Sequence, residues 1–391
     1  MVSVCRSLPT PDDPSGGIFV LNRLKGMRAR ADLQIVQPLP YMPLVRPLAA
    51  WGTAPERRLA DIPIRQAQMF YIPAVLKWLD SMWLARAIAP AVAREHSKKP
   101  LDLIDAHFGY PEGAGCARVA QKLGIPLFVT IRGFENEYVH RAGIGAQMLR
   151  AMRNARGCVS VSHSLRKLAM DNGVDGERIR VVHNAIDWST FNYGAREGAV
   201  ARLGLARNMR VIVAVGHLIN RKRHHVLIDA FARLRARMPN TVLAIVGGEL
   251  FEPDYPRRLE KQVRALRLSR AVRFLGNRAP DEVSDWLRAA DVFALATARE
   301  GCCNAVLEAL ACGAPVVTTP VGDNAHFVRE GVNGQLAPVD DESAFAEALA
   351  AVLGAEHWDR ARISADLRSQ VGTWEDVGSK VLDFFNERLE Q

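Results

Sequence analysis

The sequence predicts an α/β protein of two domains, and three observations carry that reading. Short apolar runs alternate with amphipathic helical stretches, the pattern of parallel sheets covered by helices. The rhythm breaks near the middle of the chain and then restarts. At 391 residues the chain exceeds one ordinary core and suits two domains of about 200 residues each. Apolar residues make up 49% and charged residues 24%, which excludes a disordered or fibrous chain.

In the first half, MVSVCRSL forms a short first strand leading into the loop PTPDDPSGG. LQIVQPL (33–39), LDLIDAHF (101–108), IPLFVTI (125–131), GCVSVS (157–162) and IRVVHN (179–184) follow as strands. Such continuous apolar runs suit strands buried on both faces. GAGCARVAQKLG (113–124) and HSLRKLAMDNG (163–173) read as helices, the second closed by Gly173. Residues 68–99 carry no strand signal. There Trp78, Leu79, Met82 and Trp83 share a helical face flanked by Lys and Arg, as a helix packed on the domain or one touching a membrane.

The second half offers MRVIVAVG (209–216), TVLAIVGG (241–248), VRFLG (272–276), DVFALAT (291–297) and APVVTT (314–319) as strands. HVLIDAFARLRARM (225–238) and NAVLEALAC (304–312) are its clearest helices. The expected division is 1–190, a polar linker at 191–207, a second domain at 208–370, and a C-terminal helix at 371–391 packing back toward the first domain. Open parallel sheets bind ligands beyond the C-terminal ends of their strands, so two Rossmann-like domains facing across a cleft are expected.

Charge is unevenly distributed. The net +9 falls entirely in residues 1–190, which hold 25 Lys/Arg against 16 Asp/Glu, while residues 191–391 hold 26 of each. An anionic partner for the first half is implied: a phosphorylated substrate or an anionic membrane surface. No nucleic-acid motif accompanies the excess, so nucleic acid is not expected. The six cysteines (5, 116, 158, 302, 303, 312) lack CxxC or zinc spacing. With no apolar run of bilayer length and no signal-peptide pattern at MVSVCRSLPTPDD, the expected setting is cytoplasmic, with a peripheral place on the inner membrane face as its extension.

Two segments carry chemistry. In Arg299-Glu300-Gly301-Cys302-Cys303-Asn304, a carboxylate and a glycine turn follow the strand DVFALAT, and a helix starts near Asn304, an expected N-cap. The amides and dipole of that helix start favour an anion. Glu308, a turn into the helix, can face the same extended polar ligand as Glu300. In VAVGHLINRKRHHVLIDA (213–230), His217, Arg221, Lys222 and Arg223 crowd a helix start that is already dipole-positive, an arrangement calling for an anion such as a diphosphate.

On these residues the chain resembles the retaining family 4 glycosyltransferases of GT-B fold. Glu300…Glu308 resembles their E-x7-E element and VGHLINRK their glycine-to-lysine diphosphate loop. HNAIDWSTF (183–191) resembles the inter-domain segment, SLPTPDDPSGGIFV (7–20) the N-terminal glycine loop, and VGDNAHFVREGVNGQLAP (321–338) the segment closing the donor site. The resemblance implies transfer of a sugar from a nucleotide-diphosphate donor, UDP- or GDP-linked, to a saccharide or lipid-linked acceptor in polysaccharide assembly. It implies Glu300 and Lys222 as catalytic, with Glu308 on the ribose and Gly301, Cys302, Cys303 and Asn304 around sugar and phosphate. His217 and Arg221 would assist Lys222 at the diphosphate, Arg278 would lie by the base, and Gly16 and Gly17 would form the N-terminal loop. Arg132 stands where relatives often carry His, replacing a neutral partner by a fixed cation.

No cofactor is expected, the nucleotide-sugar being substrate, and no metal site. Asp340-Asp341 reads as a helix cap, and His224-His225 as helix surface. The competing readings are a nucleotide-sugar-binding partner subunit without turnover and a sucrose- or trehalose-type synthase with a soluble acceptor.

Overall fold

Buried parallel strands order both halves of the chain. The computed structural model describes residues 1–10, 16–42, 57–73, 75–250, 252–355 and 357–391. It divides into two units, Met1–Ala185 with Trp374–Gln391, and Ile186–Thr373.

The first unit holds β1 (Val2–Val4), β2 (Gln34–Tyr41), β3 (Arg57–Leu59), β4 (Ile62–Phe70), β5 (Ile104–His107), β6 (Leu127–Ile131), β7 (Gly157–Ser160) and β8 (Ile179–Val181). Their order is β3-β4-β2-β1-β5-β6-β7-β8, parallel except for the β3–β4 pair. β3 and β4 had no counterpart in the sequence reading, and β4 reaches into the stretch taken as strand-free. Its sequence IPIRQAQMF alternates, burying Ile62, Ile64, Ala67 and Met69, but Arg65, Gln66 and Gln68 dilute the apolar signal.

The helix Asp80–Lys98 buries Ser81, Leu84, Ala85, Ile88, Ala91 and Val92, a different face from the expected one, since Trp78 is exposed and Leu79, Met82 and Trp83 are only half-buried. Trp83 lies edge-on to Phe70 at 5.0 Å. Val75, Leu76 and Trp78, just before it, are 55%, 48% and 52% exposed.

The C-terminal helix Trp374–Glu390 packs on the helix Ile18–Arg28. Gly26 and Gly378 make the close approach possible: a Cβ on Gly26 would lie 2.0 Å from the Trp374 carbonyl oxygen. Phe384 and Phe385 close on Phe128, the latter with ring centroids 4.3 Å apart. Burying a side chain of that size contributes roughly 1.5–3 kcal/mol.

The second unit holds β9 (Arg210–Val215), β10 (Thr241–Val246), β11 (Val272–Gly276), β12 (Val292–Leu295), β13 (Val316–Thr318) and β14 (Gly334–Leu336), all parallel in the order β11-β10-β9-β12-β13-β14. Ile212, Leu243, Ile245, Phe231 and Phe345 are among its core. Residues 191–207, taken as linker, fold within this unit. Phe191 is buried and Arg196–Arg202 is a helix whose Arg202 pairs with Asp285 at 2.6 Å. The stretch is polar because its helix is a surface one. Among the described residues, no helix is long and apolar enough to cross a membrane.

Candidate active site

In the second unit β9 lies beside β12, and the winding reverses between them, with β10 and β11 on one side and β13 and β14 on the other. At such a switch point a crevice opens beyond the strand ends. Two loops meet there.

The loop after β9 turns at Gly216, whose N–H donates to the Val246 carbonyl at 2.9 Å. It passes so close to Gly247 (φ 136°) that a Cβ on Gly247 would sit 2.1 Å from the Gly216 oxygen. A short helical turn, Asn220–Lys222, then feeds the helix His224–Arg237. The loop after β12 carries Thr297 and Glu300 into the helix Asn304–Ala311.

Glu300 is 8% exposed and joins the loops. Lys222 Nζ donates to its Oε1 at 2.7 Å, and Thr297 Oγ1 donates to the same oxygen at 2.8 Å. The Arg221 guanidinium donates to Oε2 at 3.4 Å and to the Arg299 carbonyl at 3.1 Å. Burial alone would raise the Glu300 carboxyl, but Lys222 and then Arg221 outweigh it and hold the group below its ordinary value. Burial likewise works against the Lys222 ammonium, and the Glu300 charge more than offsets it, so Lys222 stays protonated. Two cations thus converge on one carboxylate at a sheet edge.

The third cation goes elsewhere. Arg223 (φ 54°) makes two bonds to Asp340, at 2.8 and 3.2 Å. Asp341 accepts from the Ala344 N–H at 2.8 Å and caps the helix Glu342–Gly354. His224 is fully buried rather than on the helix surface, its Nε2 3.2 Å from the His217 carbonyl, and burial pushes it down to about 4. His225 is half-buried against the Tyr255 hydroxyl at 2.8 Å.

Cys303, not Asn304, takes the capping position, and no side chain caps the helix. The Val306 and Leu307 N–H groups donate to the Cys303 carbonyl at 3.1 and 3.3 Å, so backbone rather than a Ser, Asp or Asn side chain serves this helix start. Gly301, Cys302 and Cys303 are buried, and burial pushes the Cys303 thiol up to about 12. The 321–338 segment lies on this loop. The Asp323 N–H donates to the Gly301 carbonyl at 3.2 Å, and a Cβ on Gly322 would sit 2.5 Å from that oxygen. Burial raises the Glu308 carboxyl to about 7, against the opposing pull of Lys222. His217 is half-buried at the β9 end. Arg278, beyond β11, is exposed and pairs with Glu282 at 3.3 Å.

Gly16, Gly17 and Arg132 belong to the first unit. Gly17 (φ 64°) starts the helix Ile18–Arg28, and a Cβ there would lie 1.9 Å from the Ser7 carbonyl oxygen. Residues 11–15 of the glycine loop fall outside the described residues. Arg132 follows β6 and donates from Nε to His107 Nδ1 at 3.3 Å and from a terminal nitrogen to Asn184 Oδ1 at 3.4 Å. Accepting at Nδ1, His107 carries its proton on Nε2, which faces Ser3 Oγ at 2.9 Å and Asp105 Oδ2 at 3.2 Å. Burial holds this imidazole neutral, down to about 4. Asp105 binds Arg23 at 2.5 Å, and that charge outweighs burial and holds Asp105 well below the carboxylate range.

Several of these groups were not singled out from sequence. Arg23 shares a helical face with the buried Val20, Leu24 and Met27, so its spacing carried the signal. Thr297 sits at a strand end three residues before Glu300, a weak cue. Glu135, whose carboxylate accepts the N–H groups of Gly109, Arg132 and Gly133 at 2.8, 3.1 and 2.7 Å, left no cue. His163 and His183 also approach within the first unit, ring centroids 5.3 Å apart, a pairing the sequence reading did not make.

A carboxylate gripped by two cations at the switch point of a doubly wound sheet is a site built to handle a charged ligand. The family described as Glycosyltransferase Family 4 matches residues 45–189, and that described as Glycosyl transferases group 1 matches residues 209–355. The two matches together cover most of the chain, which belongs to these glycosyltransferase families.

TuaC of Bacillus subtilis, a glycosyltransferase assigned to teichuronic acid biosynthesis, is 28% identical over 95% of this chain and 93% of its own. The D-inositol 3-phosphate glycosyltransferase of Corynebacterium urealyticum is 35% identical over 55% of this chain, which spans about half of that relative's length, 53%. The fold is that of HepE from Anabaena, solved with UDP and glucose, at TM-score 0.76 and 22% identity over 98% of both chains. Sucrose-phosphate synthase from Thermosynechococcus elongatus matches at TM-score 0.78 and 18% identity, over 99% of this chain and 98% of its own.

Proposed function

We propose that the protein is a retaining glycosyltransferase that takes a sugar from a nucleotide-diphosphate donor, UDP-linked as in the HepE complexes, and passes it to a saccharide or lipid-linked acceptor. The buried Glu300 gripped by Lys222 and Arg221 carries this reading. As the bond from the sugar's anomeric carbon to the diphosphate breaks, its electron pair stays on the leaving phosphate. Lys222, Arg221 and the positive end of the helix Asn304–Ala311 then meet developing negative charge, and interactions that strengthen there lower the barrier. Glu300 holds both cations before donor arrives and faces the sugar, while Glu308 accepts from the ribose hydroxyls. In the second unit His217, Arg278 and Gly301 serve the donor; in the first, Gly16, Gly17 and Arg132 are assigned to substrate binding.

Leaving-group charge is carried by these side chains, so transfer should persist in EDTA. A rate abolished by EDTA and restored by Mn²⁺ would overturn that assignment. A melting panel of UDP, GDP and ADP identifies the base, since a ligand selective for the folded state raises its melting temperature. UDP should give the largest rise.

A peripheral membrane position on the inner face suits a lipid-linked acceptor, and the exposed Val75, Leu76 and Trp78 beside a basic half support it. Sedimentation with anionic vesicles should carry the protein down at low salt, and Leu76→Ser with Trp78→Ser should release it. A wild type that stays in the supernatant defeats this reading.

A further inference from the structure

Away from the residues discussed so far, the first unit contains a cleft of about 740 Å³ at the N-terminal edge of β6. It lies between the helices Ala114–Leu123 and Ile144–Asn154 and reaches the end of the C-terminal helix. Five arginines line it, Arg118, Arg150, Arg156, Arg178 and Arg388, and among the described residues no Asp or Glu does.

Their partners are few. Arg118 and Arg150 are exposed and have no carboxylate within 4.0 Å among the described residues. Arg156 and Arg388 hold each other through backbone: Arg156 Nε donates to the Arg388 carbonyl at 2.6 Å, and Arg388 Nε donates to the Arg156 carbonyl at 3.3 Å. Two like charges are thereby fixed side by side with no counter-charge. Only Arg178 has a carboxylate neighbour, Asp175 at 3.6 Å, an exposed pair of little weight.

The arrangement is informative because five guanidinium groups gather in one concavity that no acid among the described residues lines. Elsewhere in this unit Arg30 pairs with Asp383, Arg65 with Glu95 and Arg180 with Glu387; exposed arginines such as Arg86 and Arg94 that lack a carboxylate partner among the described residues are not among the five lining this cleft. Guanidinium forks from separate elements, turned into one concavity, match the planar oxygen pairs of phosphate. The volume is within the range of small-ligand sites, roughly 300–1,000 Å³. Part of the first half's charge excess is therefore gathered into this cleft.

We propose that this cleft is a second anion site, for a ligand carrying two or more phosphate groups, either a free molecule or a lipid headgroup. It lies in the other unit from Glu300 and Lys222, so substitution separates the two sites.

Titration calorimetry of the full chain with inorganic tripolyphosphate at low salt is the direct test. Arg118→Gln with Arg150→Gln should weaken that binding about tenfold or more, since each charge-assisted bond is among the stronger hydrogen bonds. Lys222→Ala should leave this component in place, and high salt should remove it. Both arginines are exposed, so an unchanged melting temperature verifies folding. Vesicles containing a phosphorylated inositol lipid form the second arm. Binding sensitive to the two substitutions there, without tripolyphosphate binding, assigns the headgroup source. Identical isotherms and identical vesicle binding for wild type and the double variant overturn the proposal, as does a wild type that binds neither probe.

Discussion

Both units bury charge at a parallel sheet, the first around Asp105 within β5 and the second around Glu300 beyond the end of β12. Asp105 is met by one cation, Arg23, by the Thr130 hydroxyl at 3.3 Å, and by a histidine held neutral. Arg23 in turn donates to Thr130 at 2.7 Å. The cluster's charges balance, although Arg23 Nε has no hydrogen-bond partner among the described residues, and it braces a helix against the sheet. Glu300 is met by two cations, on a short turn rather than a long helix, beside a helix start that no side chain caps. A closed cluster stabilises the fold, whereas one with surplus positive potential is prepared for an anion. Buried charge alone therefore does not mark a site; the balance of charges does.

The largest expected effect breaks the first cluster. Asp105→Asn leaves Arg23 buried without its counter-charge, which costs about 3–5 kcal/mol, read by urea unfolding. The sign with pH follows from the shifts. Asp105 is lowered, so its contribution is full above the ordinary carboxylate range and lost as pH falls through its folded value. His107, lowered to about 4, adds a loss between about pH 6.5 and 4, because the unfolded chain takes up the proton first. An Asp105→Asn protein as stable as wild type at neutral pH would show that this cluster is not the brace.

Breaking the second cluster should cost activity. Lys222→Ala should lower the transfer rate roughly a hundred- to a thousandfold, the magnitude seen when a preorganised electrostatic partner is removed. Glu300→Gln should also impair transfer and lower the melting temperature, because Lys222 then loses its buried counter-charge. Glu300→Gln with Lys222→Met should recover stability without activity, which separates the two roles. Initial rates paired with thermal melts are the measurement. Wild-type turnover in Lys222→Ala removes that residue from the chemistry.

The smallest effect concerns Glu308, raised to about 7. A raised carboxyl contributes stability that is full below the ordinary carboxylate value and lost as pH climbs through the folded value. Glu308→Gln should therefore gain in melting temperature over wild type as pH rises from about 4.5 to 7. UDP should bind wild type with release of protons near neutrality, since hydroxyl donors favour the carboxylate. Calorimetry in two buffers of different ionisation heat shows the release, and its persistence in Glu308→Gln would assign the proton to another group.

Much of this was legible in the chain. Strands buried on both faces read as plain apolar runs, so TVLAIVGG and MRVIVAVG declared themselves, whereas the mixed β4 and the three-residue β14 did not. Glu300, Lys222 and Arg221 stood out because carboxylates and cations at strand ends have few structural excuses. The dipole argument called for an anion at residues 221–223, and the fold supplies two of its own, Glu300 and Asp340.

The sequence by itself determined the periodicities, the two-part organisation and the residue types at the strand ends, because those depend on neighbours only a few positions away. The tertiary structure alone decided that Lys222 meets Glu300 from 78 positions away, that Arg223 turns to Asp340, and that His224 faces inward. It also decided that 191–207 folds into the second unit and that Gly26 admits the C-terminal helix. Each of these depends on which strands become neighbours and which faces they cover. A local pattern of apolar and charged residues does not encode that order; it is settled only when the sheets close and every buried ion must find its partner.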